Sequence, residues 1–463
     1  SLVGSEMCIR DRFIAFGASA CADNGRGGEN VLNVTVWLAG FGKEWIEEMG
    51  VDFEAETGIH VDVYADPSAP TGITQAFNVN KADNYDDLYF SAVTNQWLAW
   101  AASGKLADLS EAFTAEERAG YEKLGVYEGK KYVMNFAHAP IGIVYNHDYL
   151  TSLGYDSFPT TLEGLLEYCD KINDSDLTCN GQKVKPLSYG GTVSDLNNLF
   201  KCFWAQGNGG SDFRLFFNQN STQPTESAYI NDSVLAAMNA LYDVLAPTGK
   251  TGEGSASNAI DGCASLNNVG SETSFLNGYS AFTISGSWFV SEMKDTIAGS
   301  AVDYRFANIP NIDKNDAQLS TVMNVPAEVF FVPEKAYHKE NAIKFLQFIT
   351  REENLIRMHQ MLDTPLAYEY EMTEEQQAAL SPWGKQVNDL VSRSRCELPA
   401  SESLYFWAGA LNAPFRKSTG AELDFYDAVS KNAYTKAQFP QVMEDSWAGI
   451  RINWEGYNEM VKF

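Results

Sequence analysis

Leu32-Asn33-Val34-Thr35-Val36-Trp37, then Trp45, Ile46, Met49 and Phe53, then Ile59-His60-Val61-Asp62-Val63-Tyr64: this stretch decides the fold. Its first and last segments alternate apolar and polar residues, as strands do. Between them the apolar residues recur at three- and four-residue spacing, which predicts a helix with one buried face, and Gly58 is its stop. Strand, helix and strand with short connections make the βαβ unit of a parallel sheet, with its right-handed crossover.

Working outward, Asp87–Phe90 reads as a third strand and Gln96–Ser103 as a helix ended by Gly104. Tyr132–Tyr145 is a long extended run interrupted by Pro140. From Thr161 the pattern is helical, with Leu162, Leu165, Leu166 and Tyr168 in one stripe. Gly207–Gly210 and Gly249–Gly254 read as loops. Tyr279–Ser285 and Val329–Val332 are strands, and Asn341–Ile349 is a helix. The remainder is mostly helical, with a polar break at Ser394–Ser403. The chain is α/β, with too many strand–helix units for one compact sheet. Its 463 residues also exceed one ordinary core.

The charge balance removes whole classes of function. Lys plus Arg number 33 and Asp plus Glu 61, a formal net charge of −28. Nucleic-acid binding needs Lys and Arg to replace phosphate counterions, and a basic patch on anionic lipid needs them equally. Neither fits. Aromatic residues, 13% of the chain with 10 Trp, leave room for a stacking site beyond the core.

No stretch approaches the roughly 18 apolar residues of a membrane-spanning helix. Phe13-Ile14-Ala15-Phe16-Gly17-Ala18-Ser19-Ala20-Cys21 resembles the end of a bacterial lipoprotein signal, cut before Cys21 with the thiol lipidated. An ordinary signal peptide cut at the small residues is the alternative. Residues 1–12 look like translated sequencing-adaptor read-through and are assigned no function; residues 1–30 stay outside the fold. Cys169, Cys179, Cys202, Cys263 and Cys396 then remain. Five cannot all pair. A Cys169–Cys179 staple across the Asn173–Asp176 turn and buried reduced thiols are both open readings.

Enzyme signatures are mostly missing. Gly40-Phe41-Gly42 lacks the third glycine of a dinucleotide loop, and the chain has no Walker A, HExxH, GxSxG or CxxC sequence. The carboxylates are too numerous to nominate a glycosidase pair from spacing. No cofactor and no metal are expected. His138, in the interrupted strand, is a candidate polar contact or a structural histidine. Trp residues stand at strand ends: Trp37 after the first, Trp288 after Gly286-Ser287, and Trp407 in Ser403-Leu404-Tyr405-Phe406-Trp407-Ala408. Open α/β sheets bind ligands at strand ends facing a crevice. A Trp face suits the C–H face of a sugar ring, although core packing is the plain alternative for any one Trp.

Several segments match one family in order. They are Asp87–Phe90 with Gly104–Leu109, Glu128–Met134, Gly142–Asn146, Leu153-Gly154 and Pro159–Glu163. Ala281–Trp288, Ala307–Pro310, Lys339–Leu346 and Leu398–Trp407 follow. Together they resemble the extracellular solute-binding proteins of bacterial ABC importers, the cluster that contains maltose-binding protein. The resemblance implies a type II periplasmic-binding-protein fold with a ligand cleft between two lobes. The lobes would comprise 31–138 with 327–365, and 139–326 with 366–463, joined by hinge crossings near Ala137–Ile141 and Met323–Ala327. Trp288 and Trp407 fall on the family's sugar-stacking positions. Ser91 falls where maltose-binding protein has a further Trp, and Phe41 and Ala139 replace charged positions. Thr94, Asn95 and His138 are near enough to add polar contacts.

The expected function is therefore that of a monomeric receptor, not an enzyme. It would capture a carbohydrate by hinge closure and deliver it to membrane permease subunits. Its expected place is the outer face of the cytoplasmic membrane or the periplasm, held by a lipid on Cys21. A carbohydrate-active hydrolase with a carboxylate pair, and the same fold binding a polyamine or peptide, are the competing readings.

Overall fold

The computed structural model describes residues 28–78, 85–92, 96–191, 195–217, 232–245, 258–324 and 328–399, with 437, 438, 441 and 445. Val31–Trp37 and His60–Asp66 pair in parallel from Val31 opposite His60 to Trp37 opposite Asp66. The helix between them, Glu44–Thr57, buries Trp45, Ile46, Met49 and Phe53. Gly58 ends it at φ 72°, its N–H bonded to the Glu54 carbonyl, a left-handed turn that a side chain disfavours. Gly50 lets the helix lie close on the sheet: an added Cβ there would meet the Val61 Cβ at 2.9 Å.

The first sheet runs in the order His60–Asp66, Val31–Trp37, Leu88–Ser91, Val329–Phe331, Met134–Asn135. Val329–Phe331 comes from far along the chain and is antiparallel to both neighbours. On one face Trp45 stacks on Phe136 at 4.3 Å between ring centroids, with Phe90 and Phe330 edge-on to it. On the other, Phe77 stacks on Trp100 and Tyr85, and Tyr89 on Phe331. Each such side chain, fully buried, contributes on the order of 1.5–3 kcal/mol.

The second sheet has the order Lys185–Ser188, Ser280–Gly286, Ile141–Asn146, Tyr304–Ala307. The helices Leu162–Asp174, Asp195–Trp204 and Asp232–Leu245 cover one face with Leu165, Tyr168, Phe200, Trp204 and Leu241. Phe275, Phe289, Phe306 and Trp383 cover the other, Trp383 arriving on the late helix Pro382–Arg393. Two sheets with separate cores make two lobes, the type II architecture.

Between them the chain crosses in adjacent segments. Met323 bridges Pro140, and the Asn324 N–H donates to the Ala139 carbonyl at 2.9 Å. A third segment lies beside these: the His138 N–H donates to the Pro365 carbonyl at 2.8 Å and the Ala367 N–H to that of Phe136 at 2.9 Å. Thus Pro140 interrupts the extended run where it leaves one sheet for the other.

One open reading is decided and two are revised. Cys169, Cys179, Cys202, Cys263 and Cys396 are all unpaired, so of the two readings the reduced thiols hold and the 169–179 staple does not form. Cys169 lies on the buried face of its helix, while Cys179 donates to the Asn277 carbonyl. Gly207–Gly210 is a 3₁₀ turn with Asn208 and Gly209 left-handed, not an open loop. Within the polar break, Arg395–Glu397 is a short strand parallel to Ser320–Val322.

Candidate functional site

A cavity of about 490 Å³ lies between the lobes. The first lobe supplies Trp37–Phe41, Pro67, Ala92 and Asn135–Ala137, with Ala139 and Glu328 at the crossings. The second supplies Asp195, Asn198, Asn267–Val269, Glu272, Ile284, Ser285, Trp288 and Glu292.

Strand ends position the two tryptophans. Trp37 closes the first strand, and its Nε1 donates to the Pro67 carbonyl at 3.2 Å, fixing the indole at the rim. Trp288 follows Ser280–Gly286 and begins the turn Phe289–Glu292. Its half-buried ring touches the cores of both lobes. Gly286 makes that possible, since a Cβ there would lie 2.1 Å from the ring. Phe41, nearly buried, packs edge-on against Phe136 at 5.8 Å in the cavity wall.

Four carboxyl groups line the cavity among the described residues, with no Lys, Arg or His. Asp195 accepts from the Gly190 N–H at 2.7 Å, yet burial pushes it up to about 7. Ser285 Oγ donates to Glu272 Oε1 at 2.6 Å. Burial and the adjoining Glu292 raise Glu272 well above the usual carboxyl range. Glu292 is also raised by burial; it accepts from Asn268 Nδ2 at 3.0 Å and, across the cleft, from the Gly40 N–H at 3.5 Å. Glu328 accepts from the Phe41 N–H at 3.4 Å, and burial raises it strongly. Glu328 Oε1 and Asn135 Oδ1 are buried without a hydrogen-bond partner. A second link between the lobes, at the rim, is the Lys294–Glu44 ion pair.

Trp37, Phe41 and Trp288 therefore meet on the cavity. Ser91 and His138 do not line it. Ser91 is fully buried within its sheet, and the next residue, Ala92, reaches the cavity instead. In the extended segment Ala137 and Ala139 face the cleft, so His138 faces away. It bonds the Tyr121 hydroxyl at 2.9 Å, and burial with the Arg118 charge lowers it to about 3. It is a structural histidine. Thr94, Asn95, Trp407 and Cys21 lie outside the described residues.

A model of the bacterial extracellular solute-binding protein family matches residues 37–356, more than half of the chain. The chain belongs to this family.

Solved structures agree on the fold of this solute-binding protein. The binding protein RafE in complex with raffinose aligns over 91% of this chain and 99% of its own, at TM-score 0.64 and 18% identity. Apo RafE from Streptococcus pneumoniae covers 94% and 99%, at TM-score 0.58 and 17% identity. A structure from work on xylan utilization by the thermophilic bacterium Caldanaerobius polysaccharolyticus covers 90% and 99%, at TM-score 0.66 and 15% identity. At these identities the likeness shows the fold alone. A search of curated proteins finds no significant match.

Sequence reasoning missed the carboxyl cluster, because its members lie on separate elements. A signal was present in the helix Asn268–Leu276, where Glu272 shares a face with the buried Phe275 and Leu276. A carboxyl at a core position of a helix asks for a partner.

Proposed function

We propose that this protein is the substrate receptor of an ABC importer, capturing a carbohydrate in the cleft by closure of the lobes. The observation carrying this reading is that Trp37 and Trp288 reach one cavity from opposite lobes, among five asparagines and four carboxyl groups. Apolar ring faces meet indoles while hydroxyls find both donors and acceptors, the mixture that selective small-molecule sites use. The raffinose complex and the xylan-related structure on the same fold support a saccharide as cargo. Closure removes the cargo from water, so a sugar whose hydroxyls do not match the polar groups binds worse. Family membership supports an exported receptor delivering to permease subunits. The anchor would be the lipidated Cys21, and the receptor would act as a monomer.

Membership of a binding-protein family does not favour hydrolysis. The deciding experiment is calorimetry and thermal shift against a panel of mono- and oligosaccharides, with spermidine and a peptide mixture alongside. Stabilisation by a carbohydrate is expected. Stabilisation by no carbohydrate removes sugar as cargo, and new reducing ends after incubation with oligosaccharide would make the protein a hydrolase.

A further inference from the structure

Resting on the carbohydrate reading, we propose that the cargo is an amino sugar, a saccharide whose protonated amine seats among Glu272, Glu292 and Glu328. A neutral sugar leaves these groups without a counter-charge, since no described residue on the cavity wall is basic. The Lys294 ammonium is already paired with Glu44 at the rim. Buried carboxylates are retained where something of opposite charge, or a proton, compensates them.

The polar geometry points the same way. Glu272 is 1% exposed and Glu328 7%, and both line the cavity. Glu328 Oε1, Glu272 Oε2 and Glu292 Oε2 are buried without a hydrogen-bond partner. These are acceptors in excess of donors. A hydroxyl brings one donor and its own lone pairs, whereas an ammonium brings three donors, a positive charge and no acceptor. Glu328 enters from the first lobe and Glu272 with Glu292 from the second, so one ammonium would draw the lobes together.

Binding an ammonium there demands ionised carboxylates, which the empty cleft holds partly protonated. The groups facing the site are Asp195, Glu272, Glu292 and Glu328, each raised by burial, Asp195 to about 7. Amine binding therefore releases protons from the cleft, which a neutral sugar does not.

The test is calorimetry on the full chain with matched probes: glucosamine, galactosamine and β-1,4-linked glucosamine oligomers, each against its N-acetylated and its neutral counterpart. The amine is expected to bind about ten- to a hundredfold more tightly in at least one matched set, the gain of a charge-assisted hydrogen bond. Glu272→Gln and Glu328→Gln should weaken the amine more than its neutral counterpart and so shrink that preference, with thermal melting confirming that each variant folds. Glu292→Gln supplies a third case if either does not. Equal or tighter binding of the neutral member in every set overturns the amine and leaves the receptor reading standing. Equal losses for amine and neutral sugars in the variants would reduce the carboxylates to hydroxyl acceptors. Absence of any carbohydrate binding overturns both readings together.

Discussion

Replacing Gly286 by alanine tests whether Trp288 is held in place as a binding surface. An added Cβ would lie 2.1, 2.3 and 2.6 Å from three carbons of the indole. Carbon atoms rest at about 3.5–4.0 Å, so the ring must retreat by roughly 1.5 Å, more than stacking on a sugar face tolerates. The loss should approach that of removing the ring, about 1–3 kcal/mol by analogy with other ring-stacking sites, or about five- to 150-fold in affinity. Overpacking this buried strand end adds about 1–3 kcal/mol of instability. Gly72→Ala is the control, because nothing lies within 4 Å of its added Cβ and it sits in the helix Ala69–Asn78. Isothermal calorimetry with the best-binding sugar, beside Trp288→Ala and melting curves, makes the comparison. Parental affinity in Gly286→Ala would refute the positioning argument, and parental affinity in both variants would remove Trp288 from the site.

Further perturbations separate fold from closure. Lys294→Met removes the exposed rim pair with Glu44; affinity should fall by less than about fivefold, since such pairs are worth about 0–1 kcal/mol, and the difference should vanish in high salt. Lys131 and Glu117 form a pair that is 6% and 8% exposed, so Lys131→Met strands a buried carboxylate and should lower stability by about 3–5 kcal/mol in denaturant titration. Asp195 has a folded-state value near 7 against about 3.9 when unfolded. The folded protein then holds the extra proton, so its contribution is greatest below about pH 4 and is lost as pH rises through 7. Asp195→Asn should flatten that part of the ligand-free stability profile; an unchanged profile would remove Asp195 as its source.

How far the sequence carried these conclusions differs between elements. Alternation in Leu32–Trp37 and the spacing of Trp45, Ile46, Met49 and Phe53 are local signals, and the elements follow them. Thr161 caps its helix by accepting from the Gly164 N–H, again a local matter. The placement of Val329–Phe331 in the first sheet is not local: nothing in its own residues names Phe90 as the partner of Phe330. His138 shows the limit from the other side. Its residue type suited a sugar contact, but the alternation that puts Ala137 and Ala139 on the cleft turns it toward Tyr121.

The carboxyl cluster sharpens the same point and ties it to function. Asp195, Glu272, Glu292 and Glu328 are spread over 134 positions and rest on elements of both lobes, so in a chain with 61 acidic residues they carry no joint signature. Their meeting is made by the hinge crossings, which bring Glu328 against the Gly40–Phe41 turn while Glu292 reaches that turn from the other lobe. Opening the lobes would part Glu292 from Gly40, rehydrate the carboxyls and lower their proton affinity. On the proposed reading, closure, protonation and cargo charge are linked through this one turn, and a ligand favours the closed form only as far as it binds that form better. A cation does so by replacing the protons; a neutral sugar must leave them in place.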